Sequence, residues 1–304
     1  MNYLRILLSM IAVIGLSACS NAPEPAPLDL ITEGKPALWK ITGSKPEQVG
    51  VAYMLGTIHI LPKGVNWRTP LLESALGKSD RLVIEVLGLE DTQNAAKIFS
   101  KLALSPGQVE IDKRVKPSLR ADLDAIIDKS KIPEFALNRM ESWAAALSLA
   151  SAQTNNLGLD ADEGVEKNLV AQFGKLKKPV EGLETIEQQL GYFDSLPEAL
   201  QREMLTSVVE EAADTKDSFE KLFNAWLTGD VDTIVALSNG GILEDPISRE
   251  KLLVARNQDW ADQLDKKLQS SGTSFVAVGA AHLVGPDAVQ NMLKKRGYKI
   301  QKIQ

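Results

Sequence analysis

The chain has 304 residues, 40 acidic against 34 basic side chains for a net charge of −6, 5% aromatic residues, one cysteine and two histidines. The acidic balance without a basic stripe argues against nucleic acid, and so few rings leave no stacking platform for single strands or glycans. A single cysteine excludes an internal disulfide and any thiolate zinc site.

The chain opens with Arg5 and the apolar run Ile6 to Leu16, too short to span a bilayer comfortably. Leu16-Ser17-Ala18-Cys19 follows and resembles a bacterial lipobox, so residues 1–18 read as a lipoprotein signal peptide and Cys19 as the acylated residue. Ser20 in the position after it favours the outer membrane of a Gram-negative bacterium, with the body facing the periplasm and the membrane as partner through the lipid anchor. Residues 19–36 carry Pro23, Pro25, Pro27 and Pro36 and read as an extended tether. Residues 37–304 are long enough for one large domain or two intimately joined ones.

Ala37 to Ile41 and Val49 to Leu55 read as strands, separated by Gly43-Ser44-Lys45-Pro46. Thr69-Pro70 starts a helix through Leu76. Leu82 to Leu87 is apolar on both faces apart from Glu85, as in a central parallel strand covered on both sides. From Asp91 to Gln269 the pattern is helical, with Lys178 to Gly182 as one short strand candidate. Strand returns at Ser274 to Val278, helix from Gly285 to Lys295, and strand at Tyr298 to Ile303. The expected fold is α/β, a mixed or parallel sheet formed by the N- and C-terminal segments around a large helical middle region.

Both histidines close the same tetrad, Gly56-Thr57-Ile58-His59 and Gly279-Ala280-Ala281-His282, and each tetrad follows an apolar strand. With 21 glycines in 304 residues, chance places Gly three residues before both histidines in roughly 0.5% of such chains. Imidazole serves metal binding and proton transfer near neutrality, so the two ends of the chain are expected to build one site. In open parallel sheets such a site lies at the carboxyl edge of the strands.

Glu85, buried in its strand, needs a cation, a metal or a proton. The helix from about Pro246 to Gln269 offers a partner. Its apolar stripe runs Leu253, Trp260, Leu264 and Leu268, with Asn257 on the stripe and Arg256 one turn before Trp260. Arg256 and Asn257 are candidates to stabilise an oxyanion, or Arg256 to hold a carboxylate. Asp160, Asp162 and Glu163 suit a helix start, and of Glu181 and Glu184 one is a candidate cap for a helix near Thr185; Glu184 and Asp160 form a second tier. Trp143 reads as a packing residue. The chain contains no His-Glu-x-x-His, Gly-x-Ser-x-Gly or phosphate-cradling glycine loop. Two imidazoles with carboxylate or amide oxygen suit Mn, Co, Fe or Zn in a hydrolytic centre.

Leu55-Gly56-Thr57-Ile58-His59, Val83-Ile84-Glu85, Gly182-Leu183-Glu184-Thr185, Arg256-Asn257 and Val278 to Leu283 together resemble the TraB/GumN family, from Leu38 to Tyr298. That family is related to the pheromone-shutdown proteins and to Tiki-type membrane-anchored metalloproteases. The resemblance implies a fold akin to erythromycin-esterase-like and ChaN-like proteins, and a site lined by His59, Glu85, Arg256, Asn257 and His282. It implies a divalent-metal-dependent peptidase with His59 and His282 at the metal, Glu85 either completing the coordination or acting as general base on bound water, and a peptide or small molecule as substrate. A non-catalytic envelope protein that binds a peptide, haem or metal is the alternative.

Overall fold

The computed structural model describes residues 28–157, 159 and 164–304. The signal peptide, Cys19, the tether as far as Pro27, and the acidic residues Asp160, Asp162 and Glu163 lie outside the described residues.

Six strands form one sheet: β1 (Leu38–Thr42), β2 (Val51–Thr57), β3 (Arg81–Leu87), β4 (Val180–Thr185), β5 (Thr273–Gly279) and β6 (Lys299–Lys302), in the order β4-β3-β5-β2-β1-β6. β4, β3, β5 and β2 run parallel, while β1 pairs antiparallel with β2 and β6 antiparallel with β1. The architecture is the α/β class expected, with a sheet drawn from both ends of the chain and a largely helical remainder. All four parallel strands end on one edge, and both Gly-x-x-His tetrads emerge there from adjacent strands.

Period-two alternation assigns each strand residue to a face. Tyr53, Leu55, Leu82, Ile84, Phe275 and Ala277 pack with Phe173, Phe223 and Trp226 on one side. Ala52, Met54, Val83, Val276 and Val278 pack with Trp260, Leu264 and Leu268 on the other. Each large apolar side chain buried in these layers contributes roughly 1.5–3 kcal/mol. A third cluster fills the helical region around Trp143, which stacks on Phe193 and meets Phe99 edge-on, the packing role its sequence context suggested.

Thr69 caps the helix Pro70–Lys78 by accepting from the Leu72 N–H, as its sequence implied. β4 runs on to Thr185, beyond the expected end at Gly182, because Thr185 itself caps the helix Ile186–Asp194 in a capping box with Gln188. Glu181 and Glu184 are therefore not caps. The helix expected from Gly285 starts only at Val289, since Gly285 has φ +75°, a left-handed conformation that a helix cannot include. The run Pro246–Arg249 passes through a wider π turn, Glu250–Val254, into the helix Ala255–Leu268. Such turns recur at functional sites. No helix among the described residues is long and apolar enough to cross a membrane.

Candidate active site at the carboxyl edge of the sheet

β2 and β5 pair from Val51↔Thr273 to Thr57↔Gly279, so His59 and His282 follow neighbouring strand ends by two and three residues. The two tetrads touch: a Cβ on Gly56 would lie 3.0 Å from the Ala280 Cα. The Gly56 carbonyl accepts the Trp226 indole N–H at 2.7 Å. The expectation that the two histidines share one sheet edge is met.

Each imidazole is held by its Nδ1. His59 Nδ1 lies 2.8 Å from Glu166 Oε1, and the Thr57 hydroxyl donates to the same oxygen. Burial alone would push the His59 imidazole down, but the Glu166 carboxylate beside it overrides that and raises it to about 9. Burial likewise opposes the charge on Glu166, yet the His59 cation and the hydrogen bonds from His59 and Thr57 hold it below the usual carboxylate range. His282 Nδ1 lies 2.5 Å from Asn257 Oδ1, and the Asn257 amide donates through Nδ2 to the Asp287 carbonyl at 2.8 Å. The His282 ring packs on Trp260 with centroids 4.3 Å apart. Burial, then Arg256 and His59, push His282 well below its ordinary value, which favours the neutral imidazole. Among the described residues neither Nε2 atom has a hydrogen-bond partner, although both are shielded from solvent. An apolar recess of Ile58, Ile60, Phe219, Leu222 and Phe223 flanks His59.

Behind the imidazoles lies a buried ionic cluster. Arg256, 1% exposed, donates through Nε and Nη2 to the two oxygens of Glu184 at 2.8 and 2.9 Å, and through Nη2 to Glu85 Oε1 at 2.5 Å. Its Nη1 takes the Leu252 carbonyl in the π turn. Gln189 donates to Glu85 Oε1 at 2.7 Å, and the Gly279 backbone N–H to Glu85 Oε2 at 3.3 Å, which ties β3 to the second tetrad. Trp260 Nε1 donates to Glu184 at 2.8 Å. Burial pushes the Glu184 carboxyl up against the opposing pull of Arg256.

These contacts redistribute the roles read from sequence. Glu85 and Arg256 do meet, and both Glu85 oxygens are already engaged, by Gln189, Arg256 and the Gly279 N–H. Among the described residues, no three His, Cys, Asp or Glu side chains are gathered to hold a metal ion. Asn257 orients His282 and donates one amide N–H to the Asp287 carbonyl, while Arg256 donates from each of its three nitrogens to Glu85, Glu184 and the Leu252 carbonyl. Glu184 moves from the second tier into the centre of the cluster. Glu166, Gln189 and Asp287 were not visible as site residues: Glu166 looks like any first-turn acid of the helix Val165–Lys175, where it also suits the dipole. Only its partner, far away in sequence, reveals the second use.

The chain matches the TraB/PrgY/gumN family over residues 37–302. Similar proteins include an uncharacterized protein of Treponema pallidum (strain Nichols), 25% identical over 92% of this chain and 87% of the relative. The uncharacterized protein YbaP of Escherichia coli (strain K12) is 26% identical over 80% of this chain and 87% of its own length. The YbaP protein of Shigella flexneri is likewise 26% identical, over 80% of this chain and 88% of that protein. No solved structure matches the chain.

Proposed function

The chain belongs to the TraB/PrgY/gumN family, and from that premise we propose that it is a divalent-cation-dependent hydrolase, acting on a peptide or similar acyl substrate at the Nε2 atoms of His59 and His282. One observation carries the reading: two buried imidazoles at the same sheet edge, each fixed through Nδ1 by an oxygen acceptor and each with a partnerless Nε2. Metal-bound histidines are held in this way, with the second nitrogen on a carboxylate or carbonyl-type oxygen that sets ring orientation and ligand basicity.

The charge balance supports a cation. Glu85, Glu184 and Glu166 face Arg256 and a protonated His59, which leaves one negative charge in excess in a buried region. Protonation of Glu184 would remove that excess. Exchange of the His59 proton for a divalent ion would remove it as well, and such exchange is general for histidine ligands. The imidazoles therefore fit a metal such as Mn, Co, Fe or Zn, with the other positions left for water and substrate. A cation there supplies Lewis acidity towards a carbonyl and lowers the pKa of water. Glu166 and Asn257 orient the two rings, and Trp260 walls off His282. Arg256 holds Glu85 and Glu184 as one unit, and Glu85 in turn fixes the start of the second tetrad through the Gly279 N–H.

The test is metal analysis of the purified protein, followed by cleavage of a peptide library with Mn²⁺, Co²⁺ or Zn²⁺. Metal uptake and cleavage, both lost in His59→Ala and His282→Ala, are expected; a folded protein that takes up no metal and cleaves nothing refutes the reading. The engagement of both Glu85 oxygens favours a second reading, a binding protein without hydrolysis. A Glu85→Gln variant that retains metal and ligand but never cleaves, like the parent, would select it.

We also propose the envelope location from Leu16-Ser17-Ala18-Cys19, with the body anchored by acyl chains on Cys19. A Cys19→Ser variant should fail to mature as a membrane-bound lipoprotein. Normal maturation and outer-membrane fractionation of that variant would remove the proposal.

A further inference from the structure

An asparagine side chain presents one donor end and one acceptor end, so whatever binds one end dictates what the other can do. Asn257 lies between His282 and Asp287. The Asp287 backbone carbonyl can only accept, so it requires the Asn257 Nδ2 that stands 2.8 Å away. Oδ1 is thereby turned to His282 Nδ1 at 2.5 Å, and Oδ1 can only accept too. Nδ1 must then carry a proton, and in the neutral ring that leaves Nε2 as a bare lone pair.

What holds the Asp287 carbonyl in place is a charge pair from elsewhere in the chain. Arg249 donates through Nη2 and Nε to Asp287 Oδ2 at 2.6 and 3.1 Å. Arg249 stands at the start of the same helical run that carries Asn257, and Asp287 lies in the loop behind the second tetrad, two residues after the left-handed Gly285. The pair therefore pins that loop to the helix at the point where the Asn257 amide is read.

We propose that Arg249 and Asp287 are positioning residues that set the tautomer of His282 through Asn257, keeping its proton on Nδ1 and its Nε2 free to bind or react. The inference deepens the proposed function, since a free Nε2 matters most if that atom takes a cation. Its own content is the tautomer, which can be read without activity.

The chain has only two histidines, so nitrogen-detected NMR of metal-free protein labelled with ¹⁵N-histidine resolves both rings, and a His59→Gln variant assigns them. The parent is expected to show His282 protonated at Nδ1 and bare at Nε2. Arg249→Ala should bring in a second population protonated at Nε2, the commoner form of free histidine, whereas Arg249→Lys should restore the single form. Asp287→Asn keeps the backbone carbonyl but weakens the charge pair, and serves if Arg249→Ala does not fold. A parent protonated at Nε2 overturns the inference. So does a pure Nδ1–H form in every folded variant. The stated tautomer in a protein that neither binds metal nor cleaves peptide would uphold the inference while the hydrolase reading falls.

Discussion

Gly56 lies against Ala280, so that a Cβ on the first tetrad's glycine would stand 3.0 Å from the second tetrad's backbone Cα and 3.2 Å from its Cβ. The two glycines open their tetrads for different reasons. Gly56 permits close approach of neighbouring strand ends, whereas Gly279 presents its N–H to Glu85.

Gly56→Ala should therefore destabilise the protein by about 1–3 kcal/mol through overpacking against backbone that cannot swing aside, and Gly56→Val by more. Gly77, in the helix Pro70–Lys78 with nothing within 4 Å of a built Cβ, is the control. Gly77→Ala should be neutral or stabilising by about 0.5–1 kcal/mol from helix propensity. Urea unfolding midpoints of the two variants decide; equal behaviour would show that the contact between tetrads carries no weight.

Arg256→Met should cost about 3–5 kcal/mol, because it leaves Glu85 and Glu184 buried together without their cation. The deficit should shrink as pH falls: protonating an uncompensated buried carboxylate relieves the repulsion, so the variant gains on the parent towards acid. Arg256→Lys should recover only part of the loss, since one ammonium cannot meet both oxygens of Glu184 and Glu85 with the planar fork seen here. Thermal denaturation from pH 7 down to pH 5 checks this. A variant as stable as the parent at neutral pH would mean that the carboxylates find protons or water without Arg256.

Trp226→Phe removes the indole donor to the Gly56 carbonyl and trims a fully buried ring that meets Trp67 and Phe223. The expected cost is about 2–4 kcal/mol from lost packing and a lost buried hydrogen bond. Because the carbonyl belongs to the first tetrad, the change should also lower cation affinity, a coupling that titration of folded variant with Mn²⁺ would reveal.

Much of this arrangement was legible in the chain itself. Apolar runs ending in a repeated tetrad located β2 and β5, and a glutamate within an apolar strand located Glu85. The stripe through Leu253, Trp260 and Leu264 carried Arg256 and Asn257 to the core side. What the pattern could not convey was pairing. Whether Glu85 faces an imidazole or a guanidinium depends on contacts across 171 positions of chain, and periodicity carries no information on that. Glu184 stayed in the second tier for a related reason: the short strand expected at Lys178 to Gly182 stopped before it, so its carboxylate read as a candidate helix cap. The Thr185 capping box already satisfies that helix end, which frees Glu184 for Arg256.

The last prediction separates the imidazoles from the groups that orient them. A cation that binds only the native state raises stability by about 2.7 kcal/mol at a hundredfold excess over its dissociation constant. Thermal denaturation with Mn²⁺, Co²⁺ or Zn²⁺ against a chelator should therefore show a clear upward shift for the parent. His59→Ala and His282→Ala each remove one donor and should abolish that shift. Glu166→Gln keeps both donors but weakens the acceptor that aligns His59, so it should retain a shift at cation concentrations about 10–100-fold higher, the usual effect of losing an outer-shell partner. The difference between metal and chelator is the quantity compared, so any loss of baseline stability in a variant cancels. An undiminished shift in the His59→Ala/His282→Ala double variant would place the cation elsewhere, and no shift in the parent with any of the three ions would leave the imidazoles without one.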